Sequence, residues 1–93
     1  MTDESSSAFK VHYICQTYIE KKTGSAGQVA LVVDKQFQYT SADQARSRAE
    51  RESRLDTCAG ADAYSVTEDE GSGEVSEPTF LLRLGNVPEF DAF

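Results

Sequence analysis

From Phe9 to Glu20 polar and apolar side chains alternate, a period of two that a β-strand satisfies and a helix does not. Phe9, Val11, Tyr13, Cys15, Thr17 and Ile19 fall on one face of that strand. Lys10, His12, Ile14, Gln16, Tyr18 and Glu20 fall on the other. Lys21 to Gly27, with two glycines among small polar residues, reads as a hairpin loop. A second strand runs from Gln28 to Val33, placing Val29, Leu31 and Val33 opposite Ala30 and Val32, and a short extended piece runs from Gln36 to Thr40.

Ser41 opens the one segment with helical character. Ser41-Ala42-Asp43-Gln44 fits a capping box, with Asp43 placing negative charge in the first turn, where the helix dipole favours it. Ala42, Ala45 and Ala49 recur at helical spacing, widened by Leu55 and Ala59, so the helix is expected to reach Ala59 with Gly60 as its stop. Small residues on that stripe let a helix lie close on a sheet. Its other sides carry i,i+4 pairs, Arg46–Glu50, Arg48–Glu52 and Glu50–Arg54. Two more strands, Asp62–Thr67 and Thr79–Leu84, flank an acidic, glycine-punctuated loop from Glu68 to Pro78.

The order β-β-α-β-β predicts an α+β fold: a single domain with a four-stranded, mostly antiparallel sheet and one helix on one face. At 93 residues the chain suits one domain, read as residues 8–88, with 1–7 as a disordered tail and 89–93 as a second tail. Cys15 and Cys58 are too few for a disulfide framework and read as reduced thiols. Met1 to Ser7 is acidic and polar where a secretory signal needs a basic start, and the longest apolar run, Val29 to Val33, is far short of a membrane span. The expectation is a soluble, cytoplasmic protein with no membrane contact.

Tyr39-Thr40-Ser41-Ala42-Asp43-Gln44-Ala45 leading into an Arg/Glu-rich helix, then Ala59-Gly60-Ala61-Asp62-Ala63-Tyr64-Ser65, the acidic glycine hairpin and Gly85-Asn86-Val87-Pro88, together resemble small uncharacterised bacterial proteins of about this length with β-β-α-β-β order. The resemblance spans roughly residues 9–90. It implies a conserved small fold and carries no activity to any residue.

No catalytic or cofactor motif is present. His12, the one histidine, has no nucleophile or acid that the sequence brings to it. Cys15, Cys58 and His12 lack the paired close spacing of structural zinc. With Gly73 at the sixth position of a calcium loop, the twelfth position, which needs a bidentate Glu, is Thr79. Neither Gly24-Ser25-Ala26-Gly27 nor Gly71-Ser72-Gly73 comes after a strand and opens a helix, as phosphate loops do. We therefore expect no enzymatic activity, no cofactor and no metal.

Charge is the strongest functional lead. Residues 1–61 hold eight acids and eight bases, whereas residues 62–93 hold eight acids and one base, Arg83. The whole net charge of −7 thus lies in the last third, and asymmetry of this kind bears on partners rather than on fold. One helix covers one face of a sheet, leaving Ile14, Tyr18, Ala30 and Val32 beside His12 and Gln16 on the other. These features predict a protein-interaction module that binds an unidentified protein, basic in character, or a second copy of itself. The candidate contacts are Glu68, Asp69, Glu70 and Glu74 in the acidic third and Ile14, Tyr18 and Val32 on the open sheet face. The alternative is an acidic nucleic-acid mimic that occupies the basic groove of a DNA-handling protein.

Phosphate neutralisation drives most non-specific nucleic-acid affinity. Arg46, Arg48, Arg51 and Arg54 sit among Asp43, Glu50, Glu52 and Asp56, so the helix is neutral and supplies no basic footprint. A gel shift at about 150 mM salt should show no binding of duplex DNA or RNA. Micromolar binding there would overturn this reading.

Overall fold

A computed structural model describes residues 8–24 and 27–88. The predicted order is present: β1 (Phe9–Thr23), β2 (Gln28–Tyr39), α1 (Ala42–Ser53), β3 (Gly60–Asp69) and β4 (Thr79–Gly85). The four strands form one sheet in the order β2-β1-β3-β4, with every neighbouring pair antiparallel. The expected tails, 1–7 and 89–93, lie outside the described residues.

The helix packs on one face through alanine. Ala45 and Ala49 of α1 meet Cys15 of β1 and Ala61 and Ala63 of β3, all fully buried. Tyr13, Phe37, Tyr39, Leu81 and Leu82 close around this cluster. Small side chains on both surfaces bring helix and sheet into close approach, and the aromatic rings at the margin supply the bulk that the alanines lack. The first strand extends beyond the sheet: β3 pairs with β1 only as far as Tyr18↔Gly60, so Ile19–Thr23 pairs with Gln28–Val32 alone. This two-stranded arm gives the molecule its elongated outline, 61 Å against 27 and 18 Å.

Two irregularities shift the alternation read from the sequence. The β1–β2 register slips between Thr17 and Tyr18, so that Thr17 faces Lys35, Tyr18 faces Val33, and Asp34 is the extra residue. Directly opposed residues share a face. Ala30 and Val32, opposite Lys21 and Ile19, therefore lie on the face opposite Tyr18, where parity alone would have put them beside it. The open face receives from β2 Gln36 and Gln38, opposite Gln16 and Ile14, and beyond the slip Val33, Leu31 and Val29, opposite Tyr18, Glu20 and Lys22. A second slip in β4 leaves Leu81 unpaired between Leu82↔Ala63 and Phe80↔Tyr64. Leu81 and Leu82 both reach the core as a result, while Phe80 turns to the open face beside Tyr64.

The helix is shorter than its alanine stripe suggested. It ends at Ser53 with Arg54 as its C-cap, and Leu55 to Ala59 turn back toward the sheet, where the Ala59 amide donates to the Tyr18 carbonyl. Gly60 is the first residue of β3 rather than a helix stop. A Cβ there would lie 2.2 Å from the Asn86 carbonyl oxygen, so glycine is required by the close approach of the chain after β4. Of the i,i+4 pairs expected on the helix, Arg48–Glu52 forms, at 3.7 Å, while Arg46 pairs with Asp43.

Half of the predicted capping box is present. The Gln44 amide donates to Ser41 Oγ at 3.2 Å, while the Gln44 side chain accepts from Thr40 rather than reaching back. Replacing Ser41 with Ala should therefore cost about 0.5–2 kcal/mol. An unchanged denaturation midpoint would show that the cap does not hold the first turn.

Candidate functional site

The face of the sheet away from the helix holds a polar lattice bordered by apolar residues, Ile14 of β1 and Val29, Leu31 and Val33 of β2, the last three in place of the Ala30 and Val32 expected there. Its centre is Asp62, fully buried although its strand is covered by the helix on the other face only. Arg83, directly opposite on β4, donates from Nε at 2.7 Å and from Nη2 at 3.0 Å, and the Tyr18 hydroxyl donates at 2.8 Å. The Arg83 guanidinium lies 4.1 Å above the Phe80 ring and also donates to the Pro88 carbonyl. Gln16 donates to the Tyr18 hydroxyl, and Gln36 donates to Gln16 and, at 3.3 Å, to the Tyr64 hydroxyl. A chain of hydrogen bonds thus crosses from the β2 edge to the β4 edge.

Burial dominates the proton affinities on this face. It pushes the Tyr18 hydroxyl up to about 12, and the Asp62 carboxylate beside it adds to the rise. Tyr64 moves the same way for the same first reason. Arg83 is raised above its ordinary value by its hydrogen bonds to Asp62. On the helix face, burial pushes the Cys15 thiol up to about 11, with Glu52 reinforcing it. Cys15 and Cys58 are both free, and Cys58 Sγ donates to the Gly60 carbonyl. A thiol with that proton affinity is a packing group rather than a nucleophile.

Nearer the acidic end His12 bridges two strands, with Nε2 2.8 Å from Glu68 Oε1 and Nδ1 2.6 Å from Gln38 Nε2. The histidine is thereby placed within a structural ladder. Among the described residues no group of three or more His, Cys, Asp or Glu side chains could hold a metal ion.

The acidic loop is closed by hydrogen bonds of its own. The Asp69 amide donates to the Glu74 carbonyl, the Gly73 amide to the Asp69 carbonyl, and Ser76 exchanges backbone and side-chain bonds with Thr67. Asp69 Oδ1 accepts from the Gly71 amide. Of the predicted acidic contacts, Glu68 is engaged by His12 and Asp69 by its own turn, while Glu70 and Glu74 remain exposed. Beside them lie Phe9, 63 % exposed, and Val75, 57 % exposed, on the rim of a cleft of about 240 Å³ that Asp69 and Glu74 also line.

The open-face candidates separate. Ile14 and Tyr18 do lie there, but Tyr18 is only 6 % exposed and spent on Asp62, and Val32 is on the opposite face. Sequence reasoning missed Asp62 and Arg83 as a pair, although Arg83 stands out as the single base of the last third. Phe9 and Val75 were missed because nothing in the sequence shows that the start of β1 meets the hairpin. No family model, curated protein or solved structure matches the chain.

The raised hydroxyl of Tyr18 sets the sign of an alkaline effect. An unfolded tyrosine loses its proton near pH 10, whereas folded Tyr18 holds it to about 12. The folded state therefore binds more protons in that window, and stability falls as pH rises through it by up to about 1.4 kcal/mol per unit for one group. Cys15 acts with the same sign from pH 9 to about 11. Tyr18→Phe should cost about 1 kcal/mol at neutral pH through its lost hydrogen bonds, yet lose stability less steeply above pH 10. Urea unfolding at several pH values reads both effects, and parallel declines would rule out Tyr18 as their source.

Proposed function

We propose that the protein is a small non-enzymatic recognition module whose acidic hairpin end binds a basic segment of another protein. The observation that supports this reading is the juxtaposition of Phe9 and Val75, the two most exposed large apolar side chains among the described residues, with Asp69 and Glu74 around one cleft. Lys and Arg side chains carry an apolar stem and a charged head. A surface that pairs exposed hydrocarbon with carboxylates accommodates both parts at once. The hydrogen-bonded turn from Asp69 to Glu74 holds these groups in place before a partner arrives, which lowers the ordering cost of binding.

The nucleic-acid-mimic reading has less behind it. A mimic must present many carboxylates to a groove, and here Glu68 is held by His12 and Asp69 has only one oxygen not engaged by its own turn. The open sheet face is a second surface for a partner or a second copy: its polar groups are largely satisfied by one another, and Val29 and Val33, each 55 % exposed, lie on it.

The test is fluorescence anisotropy with a labelled peptide of alternating Arg and Leu residues. The wild-type chain should bind it, with an association rate that falls as salt rises. Glu70→Gln combined with Glu74→Gln should weaken binding at least tenfold, mainly through association rate, while leaving the unfolding midpoint in place. Phe9→Ser should raise dissociation instead. Undiminished binding by both variants would sink the assignment of this end.

A further inference from the structure

A second site of opposite sign lies where β2 meets α1. Gln44, Ser47, Arg48 and Arg51 recur at i, i+3, i+4 and i+7 and so share one side of the helix. With Tyr39 and Asp43 they line a cleft of about 310 Å³, at the lower end of the range for small-molecule sites.

Apart from Asp43, which is engaged by Arg46, every lining side chain can donate a hydrogen bond. No hydrogen bond among the described residues occupies the Tyr39 hydroxyl, the Ser47 hydroxyl or the Gln44 amide nitrogen. Arg51 is exposed and carries no ion pair among the described residues.

Arg48 is the informative group. Its guanidinium carbon is held 4.1 Å over the Phe37 ring, and its Nε is buried without a hydrogen-bond partner. Glu52 stops 3.7 Å from that nitrogen because its other oxygen is shared with Lys35 at 3.5 Å. One buried carboxylate thus serves two cations and satisfies neither fully. The lining itself holds two cations, Arg48 and Arg51, against one carboxylate, Asp43, a net positive balance in a chain of net charge −7. A stacked guanidinium whose position is fixed by an aromatic ring, next to a second free one, suits a phosphate, two of whose oxygens a guanidinium fork can engage at once.

We propose that this cleft binds a phosphate monoester dianion, with Arg48 and Arg51 as its charged clamp, Ser47 and Gln44 as neutral donors and Tyr39 as a ring wall for the esterified group. The phosphate can belong to a free metabolite or to a phosphorylated protein side chain, and the probes separate these sources.

The full ¹⁵N-labelled chain is titrated at constant ionic strength with inorganic phosphate, phenyl phosphate and a phosphotyrosine peptide, each against sulfate. Phenyl phosphate should shift Ser47, Arg48 and Arg51 together and bind at least tenfold more tightly than sulfate. A phosphopeptide stronger than phenyl phosphate points to a protein source, and equal strength to a small molecule. Arg51→Glu, at an exposed position that leaves the core untouched, should weaken phenyl phosphate at least tenfold with an unchanged unfolding midpoint. Arg48→Lys, which keeps the charge and loses the stacked fork, should weaken it as well. Shifts scattered over the surface, equal binding of sulfate, or an Arg51→Glu variant that binds as wild type would each overturn the site.

Discussion

A carboxylate with no exposure to water sits at the middle of this sheet, and it dictates the register of three strands. Taking Asp62 out of water is costly unless its oxygens are filled, and they are filled by Arg83 from β4 and Tyr18 from β1. The partners are on separate strands, so the carboxylate is satisfied only when β1, β3 and β4 are aligned as they are. A one-residue slip of β4 would bring Leu82 or Leu84 opposite Asp62 and leave a buried charge unpaired. The alanines on either side of Asp62 complete the arrangement: they turn to the helix and let it lie close, while the acid between them serves the other face. A charge network in this position acts as a register lock first and a source of stability second.

The element order, the N-cap and the alanine seam were legible because each is encoded locally, by alternation, by Ser41 with Gln44, and by spacing along α1. The faces beyond the two bulges were not. Asp34 and Leu81 are ordinary residues within otherwise regular strands, and the neighbouring strand determines that they go unpaired. Each bulge inverts the parity of the residues beyond it, which is why Val32 left the open face and Val33 took its place, and why Leu81 and Leu82 both reach the core. The helix end was misread for a related reason. Leu55 and Ala59 continue the apolar spacing, yet the chain must turn after Arg54 to bring Ala59 against Tyr18 and Gly60 beside Asn86.

The candidate site was legible as composition and opaque as geometry. Five acids between Glu68 and Glu77 announce themselves in the sequence. Which of them are free does not, because that depends on His12 reaching Glu68 from β1 and on the Asp69 turn. The apolar half of the site comes from opposite ends of the fold, Phe9 and Val75, and exists only once β1 and β3 pair. For the arginines the error of scale ran the other way. Summed over the helix they are neutralised, but charge acts locally, and the acids that balance them are not all within reach of Arg48 and Arg51.

Screening allows two recognition surfaces of opposite sign to coexist on so small a molecule. At physiological ionic strength the Debye length is about 8 Å, so the potential in the cleft between β2 and α1 is set by the groups that line it rather than by the net charge of the chain. At low salt the balance reverses: the field of the acidic third reaches further and repels an approaching dianion. Association of an anion with the arginine cleft should therefore quicken as salt rises from very low values, before ordinary screening of the two arginines weakens it again. The acidic hairpin has no such maximum, because the global and local charges there share a sign and attract the same basic partner at every ionic strength. The two sites thus differ in the shape of their salt response, a difference set by where the charges lie in the sheet rather than by how many there are.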